Sequence, residues 1–152
     1  METERLILRR LKPSDYDDLC KILQDSEVMY AYEEPFSSEE VKEWLSKQFK
    51  RYEKYGFGLW AVILKENREL IGQCGLTMQP WKEEEVLEIG CLFKKKYWHY
   101  GYATEAANFC KNYAFQYLKV KEVCSIIRDN NKASIRVALR NGMKEILKEI
   151  VG

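Results

Sequence analysis

The chain has 152 residues, 46% hydrophobic and 32% charged, with 25 Lys+Arg balanced by 24 Asp+Glu. That is enough chain for one domain with a buried core, and it excludes a disordered polymer and a basic nucleic-acid clamp. A single histidine, His99, excludes a metal cage or triad built on several, and no apolar run approaches the ~20 residues that span a bilayer.

Residues Met1 to Arg5 are charged and lack the apolar stretch of a signal peptide, so a cytoplasmic protein is expected. Leu6 to Leu11 reads as a short strand. Pro13-Ser14-Asp15 opens a helix running to about Leu23, with Tyr16, Leu19, Cys20, Ile22 and Leu23 on one face and Ser14 or Asp15 as cap. A loop dense in aromatics and acids follows, Met29 to Phe36. Ser37-Ser38-Glu39-Glu40 then reads as a capped start, and Val41, Trp44, Leu45, Phe49 and Tyr52 make the face of a second helix.

After Gly56 the pattern changes to strands. Phe57 to Leu64 and Leu70 to Met78 flank the polar turn Lys65 to Glu69 and predict a hairpin, and Val86 to Phe93 is a third strand. A helix from Tyr102 to Tyr117, a strand from Val120 to Arg128 and a helix from Asn131 to Asn141, stopped by Gly142, complete the readable part. The tail from Met143 to Gly152 suits a strand or a helical face. This order predicts one α+β (mixed α/β) domain over residues 1–152, with a central, mostly antiparallel sheet flanked by helices.

The five cysteines, Cys20, Cys74, Cys91, Cys110 and Cys124, form no C-x-x-C pair and lie in apolar stretches. Free, buried thiols are expected.

Two stretches carry chemistry. In Phe93-Lys94-Lys95-Lys96-Tyr97-Trp98-His99-Tyr100-Gly101-Tyr102-Ala103-Thr104-Glu105-Ala106 a strand ends and a helix starts at a glycine. Unpaired N–H groups and a partial positive charge there suit a phosphate, although one glycine before a helix also serves as a plain turn. In Asn131 to Met143 a residue that suits an N-cap, Asn131, is followed by an amphipathic helix, and capping alone accounts for that pattern.

Together, Gly101-Tyr102-Ala103-Thr104-Glu105-Ala106 and the later Asn131-x-x-Ser134…Asn141-Gly142-Met143 resemble the acetyl-CoA-binding core of the GNAT superfamily of N-acetyltransferases. The opening Thr3-Glu4-Arg5-Leu6-Ile7-Leu8-Arg9, with Asp15 and Leu19, resembles the RimJ/RimL-like type that acetylates N-termini of ribosomal proteins. The likeness runs from about Glu2 to Met143.

The resemblance implies acetyl-CoA as acetyl donor and direct attack of a neutral primary amine on the thioester. It implies backbone contacts from Cys91, Leu92 and Phe93 to the pantetheine arm. It implies N–H groups of Trp98, His99, Tyr100, Gly101, Tyr102, Ala103 and Thr104 around the pyrophosphate. Asn131 would bond the arm, Ser134 would protonate the leaving thiolate, and Arg140 or a lysine of Lys94 to Lys96 would meet the 3′-phosphate.

Glu88, a carboxylate inside an apolar strand, is the candidate base, or else a residue on a solvated face. Tyr30, Tyr32, Glu33 and Glu34 would line the acceptor site and suit a cationic amine, or form an ordinary surface loop. Trp60 and Trp81 read as packing residues. No metal and no membrane or nucleic-acid partner is expected.

Three departures stand out. Trp98 and His99 replace a Gln/Arg and a glycine usual in the family's turn, Ala138 stands where many members carry a tyrosine acid, and related chains continue as a strand pair. This sequence stops at Gly152, so the closing strands are expected either to be missing from a truncated chain or to be supplied by a partner, as in a homodimer that completes the sheet. Acceptors range from protein N-termini to polyamines or aminoglycosides, and the rival readings are a non-catalytic acyl-CoA-binding domain and a nucleotide-binding domain, the latter without a Gly-Lys-Ser/Thr pattern.

Overall fold

In a computed structural model, residues 1–30, 34–128 and 130–144 are described. Strand β1 (Leu6–Arg10) alternates buried Leu6 and Leu8 with half-exposed Ile7 and Arg9, the period-two pattern of a strand with one face on a core. A 3-10 turn (Pro13–Asp15) leads into α1 (Tyr16–Leu23). Asp15 receives Arg9 through two guanidinium nitrogens, at 2.8 and 2.9 Å, and Lys12 N–H at 2.7 Å. Burial pushes its pKa up, but these bonds outweigh that and hold the carboxyl below its usual range.

Helix α2 (Ser38–Tyr55) begins at the predicted capping box: Glu40 N–H bonds Ser37 Oγ at 3.2 Å, and Ser37 N–H bonds Glu40 Oε1 at 2.9 Å. It ends at Gly56, in the left-handed conformation at φ 79°. Strands β2 (Leu59–Leu64), β3 (Leu70–Trp81) and β4 (Glu84–Phe93) follow. A 3-10 turn (Lys95–Tyr97), α3 (Tyr102–Gln116) and α4 (Lys132–Arg140) complete the described elements.

The sheet has the order β1-β2-β3-β4, with every neighbour antiparallel. Both faces of β3 are buried from Leu70 to Thr77, because α1 and α2 lie on one side of the sheet and α3 on the other. Trp60, 1% exposed, meets Tyr113 and Phe109 of α3 edge-on at 5.0 and 6.4 Å, so it is a packing residue as predicted. On the opposite side Trp44 Nε1 donates to Gln73 Oε1 at 2.9 Å, and fully buried Gln48 accepts Leu59 N–H at 3.1 Å.

Two expectations are corrected. Residues 120–128 do not form a strand; their backbone pairs with that of the sheet at one parallel bridge, Glu88 with Cys124. The cysteines are not all free. Cys74 and Cys91 stand opposite each other across β3 and β4, Cα atoms 4.1 Å apart, and are joined as a disulfide, leaving Cys20, Cys110 and Cys124 as thiols. Sequence separation conceals a pair that only strand register brings together. The tail expectation for Met143 to Gly152 falls mostly outside the described residues.

Candidate active site

The site is built where β4 loses its neighbour. Cys124 N–H donates to Leu87 O at 3.0 Å, and Ile89 N–H donates to Cys124 O at 2.8 Å, as in a parallel ladder. The next rung would join Ile126 N to Ile89 O. Both groups are taken by side chains instead: Ile126 N–H donates to the Glu88 carboxylate at 2.5 Å, and Ser125 Oγ donates to Ile89 O at 2.8 Å. The ladder stops there and the two segments part.

Past that point one edge of β4 has no neighbouring strand among the described residues. Along β4 the backbone groups of alternate residues face opposite neighbours. Lys94 N–H bonds Ile71 O on the β3 side, whereas Leu87 and Ile89 face residues 124–126. Cys91 and Phe93 therefore face the open edge. Phe93 O is used by Trp98 Nε1 at 3.0 Å, while Cys91 N–H, Cys91 O and Phe93 N–H have no partner among the described residues. Leu92 corrects the expectation, because its backbone turns to β3 opposite Gln73.

The open edge leads to the start of α3. Gly101 is its N-cap at φ 81° and offers no side-chain cap. The first helical acceptor, Gly101 O, is taken by Glu105 N–H at 3.0 Å. The N–H groups of Gly101, Tyr102, Ala103 and Thr104 have no acceptor among the described residues, so these donors and the partial positive charge of the helix start are free to meet an anion. Trp98 departs from the expectation, since its N–H donates to Lys95 O at 3.1 Å. His99 takes φ 70°, a left-handed conformation that favours the glycine it replaces. Tyr100 is 60% exposed and stacks on Tyr102.

The lysines are committed elsewhere. Lys94 is buried and meets Asp18 at 2.8 Å and Glu69 at 3.7 Å; Lys95 pairs with Glu27, and Lys96 with Glu69 at 3.2 Å. These acids come from α1, the segment after it and the β2–β3 turn. Arg140 is exposed at the end of α4. Its neighbour Asn141 is buried, and Asn141 Nδ2 donates to Thr104 O at 3.4 Å.

Asn131 caps α4, its Oδ1 accepting Ser134 N–H at 3.2 Å and also the Tyr30 hydroxyl at 3.1 Å. The predicted acceptor loop and the predicted cofactor helix thus meet at one atom. Ser134 is half-buried, and its hydroxyl makes no hydrogen bond among the described residues. Glu34 is exposed; Tyr32 and Glu33 lie outside the described residues.

Glu88 occupies the face of β4 toward α2. Burial pushes its pKa up to about 7, opposed by the Ile126 N–H and by the Arg51 guanidinium of α2. Two residues along, on the same face, a Cβ on Gly90 would meet nothing within 4 Å, so the sheet surface beside Glu88 opens into free space. A carboxyl that burial raises to about 7 therefore borders both an opening and the strand edge.

Arg5, Ser125 and Asn141 also lie at these groups. No local pattern ties them to a site, because their partners, Tyr100, Ile89 and Thr104, lie far along the chain. Among the described residues no cluster of three metal-ligating side chains occurs and no helix is long and apolar enough to cross a membrane.

The donors present fit a ligand with an amide-bearing arm and a phosphate end: an unpaired strand edge continues into a helix start with unpaired N–H groups. Comparison with known proteins agrees. The family described as the acetyltransferase (GNAT) domain matches residues 5–144. The Bacillus subtilis (strain 168) protein YkkB is 35% identical over 142 residues, covering 93% of this chain and 83% of the relative. The N-acetyltransferase YnaD of the same organism is 30% identical over 144 residues, covering 93% and 81%.

Among solved structures, an acetyltransferase from Agrobacterium tumefaciens str. C58 superposes with a TM-score of 0.83 at 27% identity, covering 93% of this chain and 81% of that one. A spermidine N-acetyltransferase from Vibrio cholerae, in complex with CoA and spermine, shares the fold with a TM-score of 0.74 at 19% identity, covering 92% and 81%. The chain belongs to the GNAT acetyltransferase family, whose enzymes transfer acetyl groups from acetyl-CoA to amines.

Proposed function

We propose that acetyl transfer takes place at the parting of β4 from residues 124–128, with the N-terminal amine of a protein as acceptor. The open edge of Cys91 and Phe93, leading to the uncapped N–H groups of Gly101 to Thr104, is the observation that carries the reading. The acceptor class rests on the resemblance of the Thr3 to Arg9 opening to RimJ/RimL-like enzymes.

Acetyl-CoA supplies an acyl group activated as a thioester. In this reading Gly101 to Thr104 hold the pyrophosphate by their N–H groups, and Cys91 and Phe93 bond the pantetheine arm. Cys91 N–H stabilises negative charge on the thioester oxygen. Glu88 takes a proton from the acceptor ammonium, since only the neutral amine has a lone pair to attack with. Its pKa near 7 suits that task. As the carbon–nitrogen bond forms and the carbon–sulfur bond breaks, the Ser134 hydroxyl would give a proton to the leaving thiolate and take one from the nitrogen that has attacked. Tyr30 and Glu34 meet the incoming cation.

The test is thiol release from acetyl-CoA over an amine panel: peptides with free N-termini, their N-blocked versions, spermidine and an aminoglycoside. Turnover confined to free N-termini supports the proposal. Turnover with spermidine or the aminoglycoside alone transfers the acceptor class to small molecules. Tight CoA binding without release for any amine leaves a binding domain and removes the catalytic reading.

A further inference from the structure

We propose that Arg5 is a positioning residue: with Thr3 and Glu105 it braces the turn Tyr100–Tyr102 in the shape that presents the first N–H groups of α3 to the phosphates. This rests on the acetyl-CoA reading above. Glu105, in the first turn of α3, accepts the Thr3 hydroxyl, Arg5 N–H at 3.0 Å and Arg5 Nε at 2.7 Å. Arg5 Nη1 donates to Tyr100 O at 2.9 Å, and the guanidinium lies over the Tyr102 ring at 4.4 Å. Arg5 Nη2 is 3.5 Å from where a Cβ on Gly101 would stand. One side chain therefore contacts Tyr100 and Tyr102, on either side of Gly101, and the acid that follows.

The turn needs such support. His99 at φ 70° and Gly101 at φ 81° are both left-handed, and a non-glycine residue in that region persists only where its surroundings hold it. Electrostatics point the same way. A carboxylate in the first turn of an anion-binding helix repels phosphate, and Arg5 neutralises it. The Thr3 and Arg5 bonds hold Glu105 ionised, below its usual range despite burial. A lysine offers charge but neither the planar fork nor the stacking face, so geometry and bare charge are separable.

The test uses the full chain and two probes, CoA and pantetheine, which carries the same arm without phosphates. Arg5→Met and Arg5→Lys are each expected to raise the Kd for CoA about tenfold and to leave that for pantetheine unchanged. Hydrogen exchange at Glu105 of the ligand-free protein, whose N–H is the first bonded amide of α3 and donates to Gly101 O at 3.0 Å, is expected to quicken in both. If Arg5→Met does not fold, Arg5→Lys and Thr3→Val carry the test. Unchanged CoA affinity, equal weakening of both probes, or full rescue by lysine overturns the proposal. A wild-type chain that binds no CoA instead defeats the acetyl-CoA reading, and the exchange rates then still test the brace.

Discussion

Ile126 donates its N–H to the Glu88 carboxylate at 2.5 Å, and this bond, with Ser125 Oγ on Ile89 O, stops the ladder between β4 and the segment beside it. Glu88 thus has two consequences at one place: it helps open the split, and it borders it as a half-buried acid. Replacement by glutamine separates them, because the amide still offers an oxygen to Ile126 but takes no proton. Glu88→Gln is expected to lower kcat about 100-fold and to abolish the rise of kcat/KM through pH 7. An unaltered pH profile removes Glu88 as the base.

The same group makes stability depend on pH. Burial raises its pKa from the ordinary carboxylate value to about 7, so the folded chain binds a proton that the unfolded chain has released. Between about pH 4.5 and 7 the folded state holds more protons, and the Glu88 contribution to stability falls as pH rises through that window. Urea titrations at pH 5 and 8 check this. The loss of stability between those values is expected to be smaller in Glu88→Gln than in the parent.

Gly101, at φ 81°, allows the chain to enter α3 with its N–H groups bare. A valine there costs about 1–2 kcal/mol in conformation and puts methyl groups beside the anion site. Calorimetry is expected to show CoA binding weakened at least tenfold in Gly101→Val. His99 occupies a similar conformation at φ 70°. Because glycine relieves strain but adds unfolded-state freedom, His99→Gly is expected to leave the stability nearly unchanged in urea titrations, whereas His99→Val is expected to lower it by about 1–2 kcal/mol.

Tyr30 and Ser134 N–H share Asn131 Oδ1, at 3.1 and 3.2 Å. Asn131→Ala removes the cap of α4 and is expected to cost about 1 kcal/mol. Tyr30→Phe keeps the cap and breaks only the cross-link to the loop. Its expected effect is on the KM for the amine, with the Tm unchanged; a shifted Tm makes Tyr30 a packing residue instead.

Gly75 leaves no room for a side chain beside the start of β2: a Cβ there would lie 2.1 Å from Gly58 O and 2.7 Å from Leu59 Cα. Backbone atoms cannot step aside as a side-chain tip can. Gly75→Ala is expected to destabilise the chain by about 3 kcal/mol, measured by chemical denaturation, with the far-UV spectrum of any folded fraction unchanged.

Local chemistry was legible without the structure. Ser37 with Glu40 starts α2, Gly56 ends it, Gly142 at φ 79° follows α4, and Gly101 opens α3, because caps and left-handed turns depend on residues within one turn of each other. The three antiparallel strands after Gly56 were equally plain from alternation and turn residues, and so was the family, whose motifs are short stretches in a set order. Partners distant in sequence were not legible. Cys74 meets Cys91 by register, Lys94 to Lys96 are spent on Asp18, Glu27 and Glu69, and Arg5 reaches Glu105 a hundred residues away. Residues 120–128 carry a strand's composition, yet Glu88 and Ser125 occupy the backbone groups that a second rung requires. Periodicity sets which face of a segment is apolar, but side chains from elsewhere in the chain decide which backbone edges stay free, and it is a free edge that binds.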